Sequence, residues 1–173
     1  MRIKSSVLQT DIALYHFMNR RLHWRGVLTF MRGITMFGET YTAVAAGVLA
    51  LFLGWSGDSA VGVQTTLVIG ISQAVVQSIK RLVNRTRPYL VHEWSIAPNP
   101  PACQYSFPSG HTACAVAWTL MFGLFYPFLR PLLYPLAFLV GMSRITLGVH
   151  YPTDVLVGAA ISYGTYILVT GLL

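Results

Sequence analysis

Long apolar stretches separated by short polar clusters set the pattern of this chain. Ile34 to Leu53, Val61 to Ile79, Gly110 to Tyr126, Pro131 to Gly148 and Thr153 to Leu173 each approach the roughly 20 residues that cross a bilayer. Lipid offers no partner to free backbone groups, so each stretch predicts a helix and the five together predict an all-α membrane bundle. Turn chemistry sits between them, in Gly54-Trp55-Ser56-Gly57-Asp58 and again where Pro127, Arg130 and Pro131 cluster. Gly47, Gly70, Gly141, Gly158 and Gly164 predict close helix contacts.

The N-terminal stretch follows another rule. Val7, Leu8, Ile12, Tyr15, Met18 and Leu22 recur at helical spacing, while Asp11, His16, Asn19 and Arg20 interrupt any span. This predicts an amphipathic helix lying at the membrane interface, its basic flank toward anionic head groups. A cleaved signal peptide competes with that reading, but the apolar run is interrupted and no small-residue cleavage site follows. The expected organisation is a single membrane-embedded domain over 1–173, with an interfacial helix over 1–30 and a transmembrane core over 34–173.

Composition narrows the classes. Charged residues make up 10% of the 173 positions and hydrophobic ones 54%, against about 25% charged in a soluble domain. That excludes an ordinary soluble protein, a disordered chain and a charged nucleic-acid-binding domain. The net charge of +7 is clustered: Arg2, Lys4, Arg20, Arg21, Arg25 and Arg32 lie at the N-terminus, and Lys80, Arg81, Arg85 and Arg87 share one short stretch. Only Arg130 and Arg144 remain. Cys103 and Cys114 have no metal-ligand spacing and are too few for a disulfide framework, so two free thiols are expected.

Ionisable residues at membrane depth are costly and mark function by default. Three clusters qualify. They are Lys80 to Pro88 at the end of the second stretch, Pro108-Ser109-Gly110-His111 at the start of the third, and Ser143-Arg144 with His150 and Asp154 at the junction of the last two. Alternating helix direction brings all three to one membrane face. Cations plus backbone N–H groups at a helix start form a site for a multiply charged anion, most naturally phosphate. Ser109 suits an N-cap and Gly110 a close backbone approach. Two histidines beside a phosphate can divide the roles of nucleophile and general acid, and Asp154, four residues after His150, can hold one imidazole nitrogen. No cluster of carboxylates or thiolates is present for a divalent metal. The residues point to metal-independent phosphoryl transfer without a cofactor.

These segments resemble the type 2 phosphatidic acid phosphatase family, the lipid phosphate phosphatases. Its signature is Lys, six residues, Arg-Pro; then Pro-Ser-Gly-His; then Ser-Arg, five residues, His, three residues, Asp. Lys80 with Arg87-Pro88, Pro108-Ser109-Gly110-His111, and Ser143-Arg144 with His150 and Asp154 match it without departure. The resemblance implies a six-helix bundle, here five transmembrane helices plus the N-terminal amphipathic one. It implies His150 as the nucleophile forming a phosphohistidine, Asp154 as its support, and His111 as the general acid. Lys80, Arg87 and Arg144 would bind phosphate oxygens, with Ser109 and Gly110 completing the cradle.

Other polar residues have plainer readings. His16, His23 and His92 are expected at the surface or interface. Arg81 and Arg85 are expected to snorkel, and Trp55, Trp94 and Tyr126 to serve as belt residues. Glu39, near the start of the first stretch and on the motif face, reads first as half of a structural ion pair with an arginine, with neutralising excess charge in the site or contacting substrate as the alternatives. The proline-rich segment Tyr89 to Phe107 is expected to lie over the site entrance.

Eleven of the twelve basic residues would share the motif face, and the positive-inside rule would make that face cytoplasmic. The resemblance instead implies an extracytoplasmic site in the plasma membrane, and we follow it. The implied substrate has a phosphate at the interface and a tail in the bilayer: undecaprenyl pyrophosphate first, phosphatidylglycerol phosphate next, then phosphatidic acid or a lipid A phosphate. Membrane lipids are the expected surroundings, and no nucleic acid partner is expected. Two other classes stand beside this one. A binding or transport protein would use the same anion pocket without needing two histidines and Asp154, and a vanadate-dependent haloperoxidase would share the pocket but is expected in soluble relatives.

Overall fold

The computed structural model describes residues 2–55 and 57–173, with side chains from residue 8 onward. Met1, Ser56 and the side chains of Arg2, Lys4 and Val7 lie outside the described residues. Eight α-helices form among them: α1 Arg2–Arg21, α2 Arg25–Thr35, α3 Thr40–Trp55, α4 Ser59–Val83, α5 Pro88–Val91, α6 Gly110–Phe125, α7 Arg130–Thr146 and α8 Pro152–Leu172.

Local chemistry sets several boundaries. Asp58 caps α4 by accepting from the Ala60 amide at 2.9 Å, and Asn84 ends that helix in a left-handed conformation. Pro152 opens α8 at a position where its missing N–H costs nothing. The α6 carbonyl of Gly123 accepts from Arg130 Nε at 2.7 Å, so the one basic residue far from the other clusters closes a helix C-terminus.

Helix α6 is the axis of the bundle, packed against α4, α7, α8 and α3. Ala43, Ala46, Ala50, Val61, Cys114, Trp118, Phe122 and Leu133 form one continuous core around it. Among the described residues, three segments are long and apolar enough to cross a membrane: α4, Pro127–Thr146 and α8. The pair Arg25–Gly38 and Thr40–Trp55, bent by 47°, makes a fourth if taken as one broken span. Helix α6 is apolar but only 16 residues long.

Two expectations change here. The apolar stretch beginning at Ile34 is not one continuous helix, because a one-turn 3-10 helix, Met36–Gly38, and an extended Glu39 separate α2 from α3. The cause is tertiary: a Cβ on Gly38 would lie 2.6 Å from the His111 carbonyl oxygen, so the chain leaves its helical path to press its backbone against α6. The segment 1–30 is likewise two helices, α1 and α2, rather than one.

Helix α1 keeps Tyr15 and Met18 of the expected stripe inside but adds two polar residues to it. Its buried stripe is Asp11, Tyr15, Met18 and Asn19, while Leu8, Leu14 and Phe17 are exposed. Two of the polar residues that seemed to interrupt a span, Asp11 and Asn19, are inward anchors, while His16 and Arg20 stay exposed. Asn19 Nδ2 donates to the carbonyls of Ile96 at 2.8 Å and Thr146 at 3.1 Å, and its Oδ1 accepts from the Ile96 amide at 3.0 Å. The glycines divide too: Gly141 and Gly158 are close-packed, whereas Gly70 and Gly164 face open space.

Candidate active site

The three polar clusters meet at one end of α6. Ser109 is its N-cap, the hydroxyl accepting from Thr112 Oγ1 at 2.9 Å and more weakly from the Thr112 amide at 3.4 Å. The Ser109 amide donates to the Asp154 carbonyl at 2.9 Å, joining the starts of α6 and α8. Gly158 permits this approach, since a Cβ there would sit 2.5 Å from the Ser109 carbonyl oxygen.

A cavity of about 230 Å³ opens beside this junction, lined by Lys80, Arg87, Gly110, His111 and His150, with Gln73, Gln77 and both cysteines completing the wall. Ser109, Arg144 and Asp154 are buried behind it rather than in the lining. Both cysteines are free thiols, as expected. The segment after α5 does lie over the site, contributing Pro101 and Cys103 to the wall.

His150 sits in the tight turn between α7 and α8 and is fully enclosed. Burial, then the charges of Arg87, Arg144 and Lys80, hold its imidazole well below the usual histidine pKa. It is therefore neutral near pH 7. Arg87 Nη1 lies 3.2 Å from His150 Nε2, which places the Nε2 lone pair toward the guanidinium, and His150 Nδ1 lies 3.5 Å from Asp154 Oδ2. That second contact is too long and poorly aligned for a full hydrogen bond.

The covering segment helps to hold two of the cations, Lys80 and Arg87. Lys80 Nζ donates to the Tyr105 carbonyl at 3.3 Å, and Arg87 donates to the carbonyls of Cys103 at 2.6 Å and Val149 at 2.9 Å. Arg144 donates from Nη1 to Thr35 Oγ1 at 2.6 Å and leaves its buried Nε without a partner among the described residues. Such spare donors suit an anion.

The descriptive model of the PAP2 superfamily matches residues 62–173, which contain every one of these motif positions. The chain belongs to the PAP2 superfamily. It is 31% identical over 150 residues to the lipid A 1-phosphatase of Rhizobium etli, a match covering 84% of this chain and 62% of that protein. It is 36% identical to the decaprenylphosphoryl-5-phosphoribose phosphatase of Mycobacterium tuberculosis, covering 79% of this chain and 75% of that one. Its fold is similar to the crystal structure of a transmembrane PAP2-type phosphatidylglycerolphosphate phosphatase from Bacillus subtilis, with a TM-score of 0.76, 27% identity, and 96% and 86% of the two chains covered. With its apolar helices and these relatives, the chain is a multi-pass membrane protein.

Around the PAP2 motifs the structure adds residues that sequence reasoning misplaced. Arg85 does not snorkel. It bridges Asp154 and Asp11, each at 2.7 Å, and lies over the Tyr151 ring at 4.0 Å. Trp94 stacks on His92 and packs against Tyr15 instead of standing in an outer belt. His92 itself is half-buried, its Nε2 3.0 Å from the Tyr151 hydroxyl. The signal for Asp11 was present, since it shares the i, i+4, i+7 stripe with Tyr15 and Met18.

Proposed function

We propose that this PAP2 chain is a metal-independent lipid phosphate phosphatase working through a phosphohistidine on His150. One observation carries the reading: the cavity holding Lys80, Arg87, His111 and His150 shares Thr40, Ala43 and Gln73 with an apolar groove of about 350 Å³ between α3 and α4. The groove continues over Val44, Gly47, Val48, Leu51, Ile69 and Gly70. A phosphate head among cations that opens directly onto an apolar channel matches a phosphorylated lipid, with its tail beside Gly47 and Gly70.

In this reading Lys80, Arg87 and Arg144 neutralise the phosphate oxygens, and the Gly110 end of α6 adds its positive dipole. Arg87 turns from His150 Nε2 to phosphate, freeing the lone pair to attack phosphorus. Asp154 orients His150 from behind and stabilises charge on its ring. His111 protonates the leaving oxygen and then takes a proton from the water that cleaves phospho-His150. A merely binding or transporting protein needs neither histidine so placed.

The relatives are named as phosphatases of lipid A, of a polyprenyl phosphoribose and of phosphatidylglycerol phosphate, which share a phosphate on a lipid. We take that shared chemistry as the substrate class, and undecaprenyl pyrophosphate remains a candidate within it. The same proposal carries five membrane crossings, α1 at the interface and the site on the extracytoplasmic face of the plasma membrane. The test is phosphate release in EDTA from lipid A, phosphatidylglycerol phosphate, phosphatidic acid and undecaprenyl pyrophosphate, with His150→Ala alongside. Release by the wild type alone supports the phosphatase; no release from any lipid moves the reading to binding or transport.

A further inference from the structure

Glu39 belongs to none of the signature motifs, yet its Oε1 lies 2.9 Å from Nε2 of His111. Its placement is built. The 3-10 turn Met36–Gly38 breaks the helical path, and Glu39 follows in extended conformation. Gly38 then fits its backbone against His111, where any Cβ would meet the His111 carbonyl at 2.6 Å and its side chain at 3.0 Å. Trp118 Nε1 donates to the Phe37 carbonyl at 3.0 Å, and Cys114 Sγ donates to the Glu39 carbonyl at 3.4 Å. Contacts from three positions of α6 thus fix the backbone that carries this carboxylate.

The electrostatic setting gives the carboxylate a task. His111 is faced by Arg144 from α7 and Arg87 from the loop after α4, and it shares its cavity wall with Lys80 and His150. Burial and these two arginines oppose an imidazolium. Among the described Asp and Glu side chains, Asp11 and Asp154 are taken by Arg85, Asp58 caps α4 and Glu93 is exposed, while Glu39 is the one at ion-pair distance from His111.

We propose that Glu39 is a positioning residue for proton transfer: its carboxylate holds Nε2–H of His111, stabilises the imidazolium and turns Nδ1 toward the leaving oxygen. This rests on the phosphatase reading. As His150 Nε2 bonds to phosphorus, the P–O bond to the lipid breaks and its electron pair goes to the leaving oxygen, which takes the Nδ1 proton. The products are the lipid alcohol, phospho-His150 and a neutral His111 still bound to Glu39 through Nε2–H. Water oxygen then bonds to phosphorus, its proton passes to Nδ1, and the N–P electron pair returns to His150. The contact is at ion-pair distance but poorly aligned for a hydrogen bond, and catalytic contacts of this kind tighten in the substrate complex.

The experiment compares wild type, Glu39→Gln and Glu39→Asp on a lipid alkyl phosphate, whose leaving oxygen needs a proton, and on p-nitrophenyl phosphate, whose leaving group does not. For Glu39→Gln we expect alkyl phosphate cleavage to fall about 10²-fold, the nitrophenolate burst to persist, and the alkaline limb of kcat/KM to move to lower pH. Glu39→Asp, which keeps the charge, should recover part of the loss and part of the limb shift. A Glu39→Gln or Glu39→Asp protein of normal thermal stability that slows both substrates equally, or neither, with an unmoved limb, overturns the proposal. A wild type that cleaves neither substrate removes the phosphatase reading itself, and this inference with it.

Discussion

Arg85 holds Asp154, Nη1 to Oδ1 at 2.7 Å, and so ties the carboxylate behind His150 to the N-terminal helix. The other arm of the guanidinium reaches Asp11 at 2.7 Å, and Asp11 in turn accepts from the Thr153 amide at 2.9 Å. Both carboxylates are almost fully buried. Removing Arg85 leaves two buried charges without their cation, a loss of about 3–5 kcal/mol for a broken buried pair. We expect Arg85→Ala to lower the thermal midpoint in detergent sharply and to lose activity, while the exposed Arg81→Ala changes neither. Equal behaviour of the two variants would show that the bridge is dispensable.

Acid should weaken both folding and chemistry through His150. Its folded pKa lies below the unfolded value of about 6.5, so below that pH the unfolded chain binds the proton more readily and stability falls as pH falls. We expect the thermal midpoint to drop between pH 7 and pH 5, with a shallower slope in His150→Asn. The acid limb of kcat/KM should lie well below pH 6.5, because the nucleophile stays neutral there. An acid limb at or above pH 6.5 that persists with a non-titrating substrate analogue would contradict the assignment.

Gly148 initiates the turn that carries His150. Its φ is +81°, and a Cβ would run into the Ile96 carbonyl oxygen. Gly148→Ala combines left-handed strain with a clash against backbone, so we expect a loss of about 2–4 kcal/mol together with reduced activity. Chemical denaturation in mixed micelles measures it, with Gly164→Ala, which meets open space, as the comparison.

How much of this was legible in the chain depends on what each residue contacts. Lys80, Arg87, His111 and His150 stood out because their spacing and helix-end positions needed only alternating helix direction to converge. Arg85 lay between two of them and was read as a surface cation, since nothing in its neighbours announces that Asp11, 74 residues away, turns inward to meet it. The same blindness applies to the partner of Glu39, His111 rather than an arginine, and to the break before it. Gly38 looks like one more glycine in an apolar stretch until α6 is packed against it. Asp11 and Asn19 of α1 share the buried stripe with Tyr15 and Met18, which a reading built on polar interruption missed.

Filling the α3–α4 groove tests where the lipid tail lies. A side chain at Gly70 meets open space within that groove, so Gly70→Leu should fold normally. Excluding about two methylenes at about 0.8 kcal/mol each corresponds to roughly a tenfold rise in KM for long-chain lipid phosphates. KM for p-nitrophenyl phosphate should stay the same. A parallel rise for both substrates would place the tail elsewhere.

EDTA should leave turnover unchanged, because Lys80, Arg87 and Arg144 supply the positive charge that a metal would otherwise bring to the phosphate. Inhibition that added magnesium reverses would contradict this.

Trapping the phosphoenzyme is the most direct test. Wild type quenched during turnover of a radiolabelled lipid phosphate should carry one acid-labile, alkali-stable label mapping to His150, and His150→Ala should carry none and release no phosphate. Full turnover in His150→Ala, or a label on another residue, would contradict the account.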